Sequence, residues 1–277
     1  MQHIARVGAF VALMAVAGVT GGAAGGLQGD RYYAVSWANG RMFEINATTL
    51  AGTQVAAFGD STQSANAMTE DGLGRLLVVS AKNGRADQIV TFDPATNEYL
   101  PGRVQTTLNF ISGMALSPQG ELLVINNTGV HSVDRSTGAA TLVAPTPGPT
   151  QGLGYGPDGA LYATGNNGFQ PFLSRYTPGS GWATVGNPAP GTSFFVLQTL
   201  FTGPGQTLMA ARLASGGNTL YHLDHHTGQI LGQQVMNLTG VSIDVRGMEF
   251  VPSPGGVGVM LGGALFATRR RRAACAR

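Results

Sequence analysis

A four-strand pattern that recurs along the chain limits its fold more than any other feature of the sequence. The pattern is clearest between residues 111 and 145, where short apolar or alternating runs are separated by tight turns rich in Gly, Asn and Asp. The predicted strands are residues 111–116, 122–125, 130–133 and 140–143. In the third turn, the side chain of Asp134 is expected to accept hydrogen bonds from backbone N–H groups two or three residues later.

The same turns return in the same order, which predicts the way in which the strands assemble. Gly120 and Gly159 lie roughly 40 positions apart, and so do Asp93 and Asp134. This period with four strands per repeat is typical of a β-propeller blade, and one such sheet must stack on its neighbours to bury both of its faces. A β-sandwich built from irregular hairpins is the alternative. The recurrence of the turns favours an all-β propeller.

Five four-stranded blades account for the chain between Arg31 and Val251. The region 31–58 supplies only three strands, and a strand within 241–251 has no blade of its own. The C-terminal strand is therefore predicted to complete the N-terminal blade, which closes the ring. Closure also removes the open edges that a sheet must otherwise protect. The predicted blades are 31–58 with 241–251, 64–105, 110–145, 150–186 and 195–234. Six blades are the alternative, but they would leave each blade little chain for four strands and their loops.

Residues 1–26 have the composition of a secretory signal peptide. Arg6 supplies the positive charge, residues 7–19 form an apolar run, and small residues follow at 21–25. Residues 1–26 are therefore predicted to direct export through the Sec translocon, with the propeller domain at 31–251.

The C-terminal segment, residues 252–277, carries a second sorting pattern. Pro252, Ser253 and Pro254 precede an apolar run at 255–268, which is followed by Arg269, Arg270, Arg271 and Arg272. This order resembles the PEP-CTERM sorting signal of Gram-negative bacteria, with Ser in place of the Glu of the family's Pro-Glu-Pro motif. The resemblance implies processing by an exosortase-type membrane enzyme, an inner-membrane intermediate and delivery to the cell surface, outer envelope or extracellular matrix.

The length and charge of the apolar run agree with that resemblance. Residues 255–268 would extend about 21 Å as a helix, which is shorter than a bilayer core of about 30 Å, but flanking arginines can lengthen the span. A permanent transmembrane anchor is the alternative.

The blades themselves resemble the NHL and YVTN class of surface propellers in their turn motifs.

The charge of the exported domain argues against nucleic acid or anionic lipid as a partner. Six of the 16 basic residues lie in the two terminal segments, so ten basic residues remain against all 14 acidic ones, and the net charge is near −4. A nucleic-acid partner is therefore not expected. Cys275, the only cysteine, lies beyond the arginine cluster, so the domain has no disulfide.

Loops that join the second and third strands of each blade are the first candidates for a binding site. In a propeller these loops gather at one end of the axis, and here they carry amide side chains able to bind a sugar or a cation. The candidate residues are Asn39, Asn83, Asn126, Asn127, Asn166, Asn167 and Asn218. The alternative is that Asn and Gly stand there because they tolerate the left-handed turn conformation.

Other clusters of reactive residues are weaker candidates. His222, Asp224, His225 and His226 fall in an outer turn that the repeat already explains, so no metal site is predicted there. Gly59-Asp60-Ser61 lacks the strand–turn–helix context of a nucleophile elbow. Glu70 and Asp71 lie in a turn between strands, and Asp87 is the only acid in the candidate loops. The sequence predicts no cofactor and no catalytic residue.

Two functional hypotheses follow. The first is a non-catalytic surface propeller that binds exopolysaccharide or surface proteins. The second is an exported hydrolase or lyase that acts on polysaccharide or a lactone. Propeller enzymes that cleave glycans use two or three carboxylates on the axis, so the number of acids that converge there separates the two hypotheses.

Overall fold

The computed structural model describes residues 30–82, 85–168, 170–190, 197–212, 218–238 and 244–252. This part of the chain contains 21 β-strands and one short 3-10 helix, Pro204–Gln206. In chain order the strands are β1 (Arg31–Ser36), β2 (Met42–Asn46), β3 (Ala51–Ala56), β4 (Ser64–Glu70), β5 (Leu76–Ala81), β6 (Gln88–Asp93), β7 (Glu98–Tyr99), β8 (Val104–Gln105), β9 (Gly113–Leu116), β10 (Leu122–Asn126), β11 (Gly129–Val133), β12 (Ala140–Ala144), β13 (Thr150–Tyr155), β14 (Leu161–Asn166), β15 (Pro171–Thr177), β16 (Gly181–Gly186), β17 (Leu197–Gly203), β18 (Thr207–Arg212), β19 (Asn218–Leu223), β20 (Ile230–Leu238) and β21 (Val245–Val251).

The strands form antiparallel units, which we number as sheets 1 to 5. Sheet 1 has the order β21-β1-β2-β3, and sheets 3, 4 and 5 are β9 to β12, β13 to β16 and β17 to β20. Sheet 2 begins with β4, β5 and β6, but its outer edge is divided between two short strands. β7 pairs with Phe92 and Asp93, and β8 pairs with Gln88 and Ile89.

Strands from the two ends of the described chain pair in sheet 1. β1 and β21 run antiparallel, with Arg31 opposite Val251 and Val35 opposite Gly247. The predicted circular closure is confirmed. The closing strand begins at Val245, and residues 241–243 of its predicted range lie outside the described residues.

The first strands of the sheets surround a common axis. β21 contacts β4, and the contacts continue from β4 to β9, from β9 to β13, from β13 to β17 and from β17 back to β21. A sandwich would place its core between two facing sheets, whereas here every sheet packs against two neighbours. The predicted all-β propeller of four-stranded sheets is therefore confirmed.

Hydrophobic clusters fill the spaces between adjacent sheets. The cluster between sheets 5 and 1 contains Phe201 and Met209 from one sheet and Phe43, Ile45 and Met248 from the other. Four further clusters lie between the remaining pairs of neighbours. Each fully buried large side chain of this kind contributes about 1.5–3 kcal/mol to stability. The apolar alternation of the strands thus becomes a closed series of cores between the sheets.

One pairing joins the outer edges of two sheets and was not predicted. β20 of sheet 5 and β3 of sheet 1 run parallel through Asn237 opposite Ala51 and Leu238 opposite Gly52. Sheets 5 and 1 consequently form one continuous eight-stranded sheet. Both outer edges are covered over that length, which removes unpaired backbone groups that would otherwise be open to another chain.

The turns follow the predicted chemistry. The Asp134 carboxylate accepts hydrogen bonds from the backbone N–H groups of Ser136 at 2.7 Å and Thr137 at 3.0 Å. Gly138 and Gly120 take φ values of +74° and +86°, in the left-handed region that favours glycine. The sequence pattern of these turns therefore reflects local hydrogen bonding and backbone geometry.

Alternation of antiparallel strands gives the axis two distinct ends. Loops from second to third strands and from fourth to first strands open at the same end, which we call the upper end. Loops from first to second and from third to fourth strands open at the opposite, lower end.

No helix of the described residues is both long and apolar enough to cross a membrane. The predicted signal peptide at 1–26 and the apolar run at 255–268 lie outside the described residues.

Candidate functional site at the two ends of the axis

A ring of polar residues lies near the upper end. Four belong to first strands, and the fifth, Ser112, directly precedes β9. In each case the residue stands before a small residue at which neighbouring first strands approach closely. The members of this axial ring are Asn66, Ser112, Gln151, Gln198 and Arg246. Each is more exposed than the residues on both sides of it, which are buried. Four ring members are thus partly exposed between buried neighbours, whereas Gln198, at 8% exposed, is itself buried.

β-bulges explain the orientation of these side chains. The pairing register shifts at the ring position in four of the first strands, β4, β13, β17 and β21. A bulge places two residues opposite one partner and turns the extra side chain away from the regular alternation. In the remaining strand, Ser112 lies directly before Gly113, and its hydroxyl donates to the Thr150 carbonyl at 3.1 Å.

The small residue after each ring position lets the first strands come together. A Cβ atom on Gly113 would lie 2.7 Å from the backbone nitrogen of Leu153, and one on Gly247 would lie 2.6 Å from that of Met68. Both distances are too short for a real side chain. The backbones of neighbouring first strands therefore approach closely just below the level of the ring.

Arg246 has the largest side chain of the ring and reaches across strands. Its guanidinium donates to Asp244 Oδ2 at 2.7 Å and to Gln198 Oε1 at 3.4 Å. It also lies 5.0 Å from the ring centroid of Trp37, within the range of a cation–π contact. Arg246 Nε and Asp244 Oδ1 are buried and have no hydrogen-bond partner within the described part of the chain.

Trp37 offers an exposed aromatic face beside this arginine. Its backbone N–H donates to the Asp244 carbonyl at 2.8 Å, and its carbonyl accepts from Ala65 N–H at 3.2 Å. These bonds fix the loop between two adjacent first strands, while 41% of the residue stays exposed. An anchored aromatic face next to amide, hydroxyl and guanidinium groups suits a ligand with both apolar and hydroxyl-bearing faces.

The described members of the predicted set lie at the upper end. Asn126, Asn166 and Asn218 are terminal residues of β10, β14 and β19, and turns use several of the asparagine side chains. Asn126 Oδ1 accepts from Thr128 N–H at 2.9 Å and its amide nitrogen donates to the Asn109 carbonyl. Asn166 and Asn167 accept from Gly168 N–H and Gln170 N–H.

The remaining asparagines differ in exposure. Asn39 is half-buried with a φ of +59°, and Asn127 is exposed. Asn218 is buried, and its Oδ1 has no partner among the described residues. Asn83 lies outside the residues that the structure describes.

Sequence reasoning missed the axial ring although a signal for it was present. A polar residue, a small residue and then Met or Leu occur at the start of every first strand. The tripeptides are Asn66-Ala67-Met68, Ser112-Gly113-Met114, Gln151-Gly152-Leu153, Gln198-Thr199-Leu200 and Arg246-Gly247-Met248. The third residue of each enters a different hydrophobic cluster between sheets. If the five repeats had been aligned on this Met or Leu, the five polar residues would have occupied equivalent positions.

The lower end of the axis holds a cavity of about 300 Å³. Residues from the ends of all five first strands line it, together with Pro252 at its rim. Two carboxyl groups belong to this lower cavity, Glu70 from β4 and Glu249 from β21. They are far apart in the sequence, and only circular closure brings them together.

Both lower-cavity carboxyl groups have a pKa above the usual value for glutamate. Burial, reinforced by the charge of Glu70, raises the pKa of Glu249 from 4.5 to about 8. Burial also raises the pKa of Glu70, and the neighbouring charge of Asp71 adds to the shift. Glu249 therefore keeps its proton near neutral pH, in the same cavity as the carboxyl group of Glu70.

The raised pKa of Glu249 predicts that stability falls as the pH rises. Between pH 4.5 and 8 the folded state keeps a proton that the unfolded chain releases, so folding is penalised increasingly across this window. The full pKa shift corresponds to about 5 kcal/mol. Glu249 is half-buried and solvent screens its charge, so we expect the free energy of unfolding to drop by about 2 kcal/mol. Urea denaturation at pH 5 and pH 8 measures this difference. Glu249→Gln should remove most of the difference in stability between the two pH values. Glu121→Gln, at an exposed position, is the control and should keep it. An unchanged pH dependence in Glu249→Gln would contradict the assignment.

The other reactive clusters have structural partners. Asp71 has a fully buried carboxylate that accepts from Leu73 N–H at 2.7 Å and from Arg75 Nε at 2.7 Å, and Arg135 of the neighbouring sheet lies 3.7 Å away. Asp87 is buried, which raises its pKa to about 6, and its carboxylate accepts from Ile111 N–H at 2.7 Å. These acids connect sheets 2 and 3.

The histidine cluster lies in an outer turn of sheet 5, as the repeat indicates. The Asp224 carboxylate accepts from His226 N–H and from the Thr227 hydroxyl, both at 2.8 Å. The rings of His225 and His226 are 3.9 Å apart. Within the described ranges no three or more His, Cys, Asp or Glu side chains form a group suited to a metal ion.

Comparison with known proteins supports the fold alone. No protein-family model and no curated protein matches the sequence. Among solved structures, a protein of unknown function from Bacteroides caccae is 11% identical, with 80% of this chain and 99% of that chain covered and a TM-score of 0.50. TolB from Acinetobacter baumannii is 19% identical (79% and 55% covered, TM-score 0.49), and virginiamycin B lyase from Staphylococcus aureus is 16% identical (79% and 76% covered, TM-score 0.44).

These neighbours are β-propeller-like proteins of varied function. The chain spans about half the length of the TolB chain, 55%. At such low identities the likeness concerns architecture, because one fold carries many activities. The chain is an all-β protein with a β-propeller fold.

Proposed function

We propose that this protein is a non-catalytic binding module, exported to the cell surface or matrix, that recognises a neutral glycan or a similar hydroxyl-rich ligand at the upper end of its axis. The observation that carries the proposal is the axial ring with Trp37 beside it. Sugars present hydroxyl groups at their edges and an apolar face, and Gln198, Arg246 and Trp37 offer matching amide, guanidinium and aromatic surfaces.

Unpartnered polar atoms at the same place support this choice of ligand. Arg246 Nε is a donor and Asp244 Oδ1 is an acceptor, and both are buried without a partner among the described residues. Leaving such groups unpaired costs about 1–3 kcal/mol each. A hydroxyl group both donates and accepts, so a single sugar edge is able to satisfy both atoms.

Binding of the full chain to an array of neutral oligosaccharides tests the proposal. Trp37→Ala and Arg246→Ala should each weaken the best-bound oligosaccharide about tenfold or more, because each removes a central contact. Leu73→Ala, which alters an exposed apolar residue in a lower-end turn, is the matched control and should bind as the wild type does. The absence of any bound oligosaccharide, or equal binding by all variants, would contradict the proposal.

We further propose that export and sorting use the two terminal segments. Residues 1–26 would engage the Sec translocon, and an exosortase-type enzyme would process the chain at Pro252, Ser253 and Pro254. The position of β21 supports this, because the strand ends at Val251 and cleavage after it would leave the pairing with β1 intact.

A second candidate function follows from the lower cavity. Glycosidases use a carboxylic acid that keeps its proton near neutral pH together with a second carboxyl group. Glu249 has such a raised pKa, and Glu70 lines the same cavity. An exported hydrolase or lyase is therefore the alternative. Release of reducing ends from a polysaccharide by the wild type, lost in Glu249→Gln but kept in Arg246→Ala, would favour the alternative over the binding module.

A further inference from the structure

A basic pocket lies on the upper side of sheet 2, away from the axial ring. It has a volume of about 260 Å³ and is formed where the loop before β4 meets the ends of β5 and β6. The residues that matter for its chemistry are Asp60, Gln63, Ser80, Lys82, Arg85 and Arg103. Nothing in the proposed function assigns a role to these residues.

The charge of this pocket differs from that of the rest of the domain. Three of the ten basic residues of the domain line it, including Lys82, which is the only lysine of the whole chain. The domain as a whole is acidic, so the local excess of positive charge is not a general property of its surface. A concave basic site in an acidic domain attracts anions selectively.

The single acid of the pocket neutralises only one of its cations. Asp60 lies 2.9 Å from Lys82 Nζ, and hydrogen bonds from Thr62 and Lys82 hold the pKa of this carboxyl well below its usual range. Arg103 donates to Gln88 Oε1 at 3.2 Å, which orients its guanidinium without neutralising it. Arg85 and Arg103 have no carboxylate partner within the described ranges. Two positive charges are therefore left for a ligand.

Two buried oxygen atoms of the same pocket also lack partners. Gln63 is 8% exposed and Ser80 is 2% exposed, and neither Gln63 Oε1 nor Ser80 Oγ has a hydrogen-bond partner among the described residues. Buried polar groups in proteins are nearly always paired, so each such atom calls for an explanation. The Gln63 oxygen requires a donor, which a fully deprotonated anion such as sulfate does not carry.

We propose that the basic pocket binds a hydroxylated carboxylate, a uronic acid unit of an acidic glycan. The carboxylate of the sugar pairs with Arg85 and Arg103, because guanidinium groups match the two oxygens of a carboxylate. The sugar hydroxyl groups donate to Gln63 Oε1 and exchange a hydrogen bond with Ser80 Oγ. This goes beyond the proposed function, because the site, its residues and the charge of its ligand are all different from those of the axial ring.

Calorimetric titration of the full chain with glucuronate, glucose and sulfate tests the proposal. Glucuronate should bind about tenfold or more tightly than either glucose, which lacks the charge, or sulfate, which lacks a donor. The double variant Arg85→Ala/Arg103→Ala should lose glucuronate binding by about the same factor. Arg175→Ala removes one positive charge from sheet 4, where Arg175 pairs with Asp158, and should leave glucuronate binding unchanged.

A second variant separates the role of the hydroxyl groups from that of the charge. Gln63→Leu keeps the approximate size of the side chain and removes the acceptor, so it should weaken glucuronate binding and leave sulfate binding as it was. Equal affinities for glucuronate and sulfate in the wild type would overturn the assignment of the ligand. No glucuronate binding, or full binding by the double arginine variant, would overturn the site. Neither result bears on neutral glycan binding at the axial ring, which the variants Trp37→Ala and Arg246→Ala test separately.

Discussion

A chain that ends at Asp244 is expected to lose its cooperative unfolding transition, whereas a chain that ends at Pro252 keeps it. The shorter chain lacks β21, the first strand of sheet 1. β1 would lose one of its two antiparallel partners and keep only β2, and the series of first strands would open between β17 and β4. Val245 and Met248, both essentially fully buried, would leave the cluster between sheets 5 and 1.

The size of the expected effect follows from the surface that β21 buries. Burial of Val245 and Met248 contributes about 1.5–3 kcal/mol each, and the exposed faces of the neighbouring strands add to the loss. A domain has a total stability of only about 5–15 kcal/mol, so the loss is comparable with the whole. Sheet proteins with an open edge and an exposed core also aggregate, so we expect a lower yield of soluble chain.

Thermal unfolding followed by circular dichroism compares the full chain with the two truncated chains. The chain that ends at Pro252 is the matched control, because it differs from the shorter one by β21 and one flanking residue. A sharp transition at the same temperature in the chain that ends at Asp244 would show that closure adds nothing to stability. Failure of the chain that ends at Pro252 to fold would count against the proposed processing site.

Gly154→Ala is expected to lower the melting temperature by about 6–12 °C. A Cβ atom at this position would lie 2.2 Å from the Leu200 carbonyl oxygen and 2.6 Å from the Leu200 carbonyl carbon. Both atoms belong to the backbone of β17, which is itself packed against β21 on its other side. Overpacking of this kind costs about 3 kcal/mol, and each kcal/mol lowers the melting temperature of a domain of this size by about 2–4 °C.

Gly232→Ala provides the matched control for this substitution. Gly232 lies in the outer strand β20, its φ is not in the left-handed region, and a Cβ atom there would have no atom within 4 Å. The same chemical change should alter stability by about 0.5 kcal/mol or less. If the two alanine variants melt together, the close approach of β13 and β17 does not limit the stability of the ring.

Features that depend on short stretches of chain were predictable from the sequence. The Asp134 turn and the glycines at positive φ are local, and their hydrogen bonds join residues two to four positions apart. Circular closure was also predictable, because a strand was missing at one end and unassigned at the other. Four-stranded repeats with closing termini leave few alternatives to a propeller.

The candidate sites were harder to predict because they depend on register and on distant pairs. The amide oxygen of Asn126 accepts from its own turn and the amide nitrogen donates to the Asn109 carbonyl, a fact that composition does not reveal. Glu70 and Glu249 share a cavity only because the chain closes on itself. The parallel pairing of β20 with β3 depends on how two sheets curve towards one another, and no residue pattern in either strand signals it.

The bulges at the starts of the first strands have a consequence for how binding specificity can change. Each bulge confines its extra residue to one position that contributes to no core between the sheets, while the Met or Leu two residues later supports the fold. Asn, Ser, Gln and Arg all occur at that position in this one chain. Under the proposed function, recognition and folding would depend on separate sets of residues, and a library randomised at the five ring positions would sample new ligands without changing the cores between the sheets.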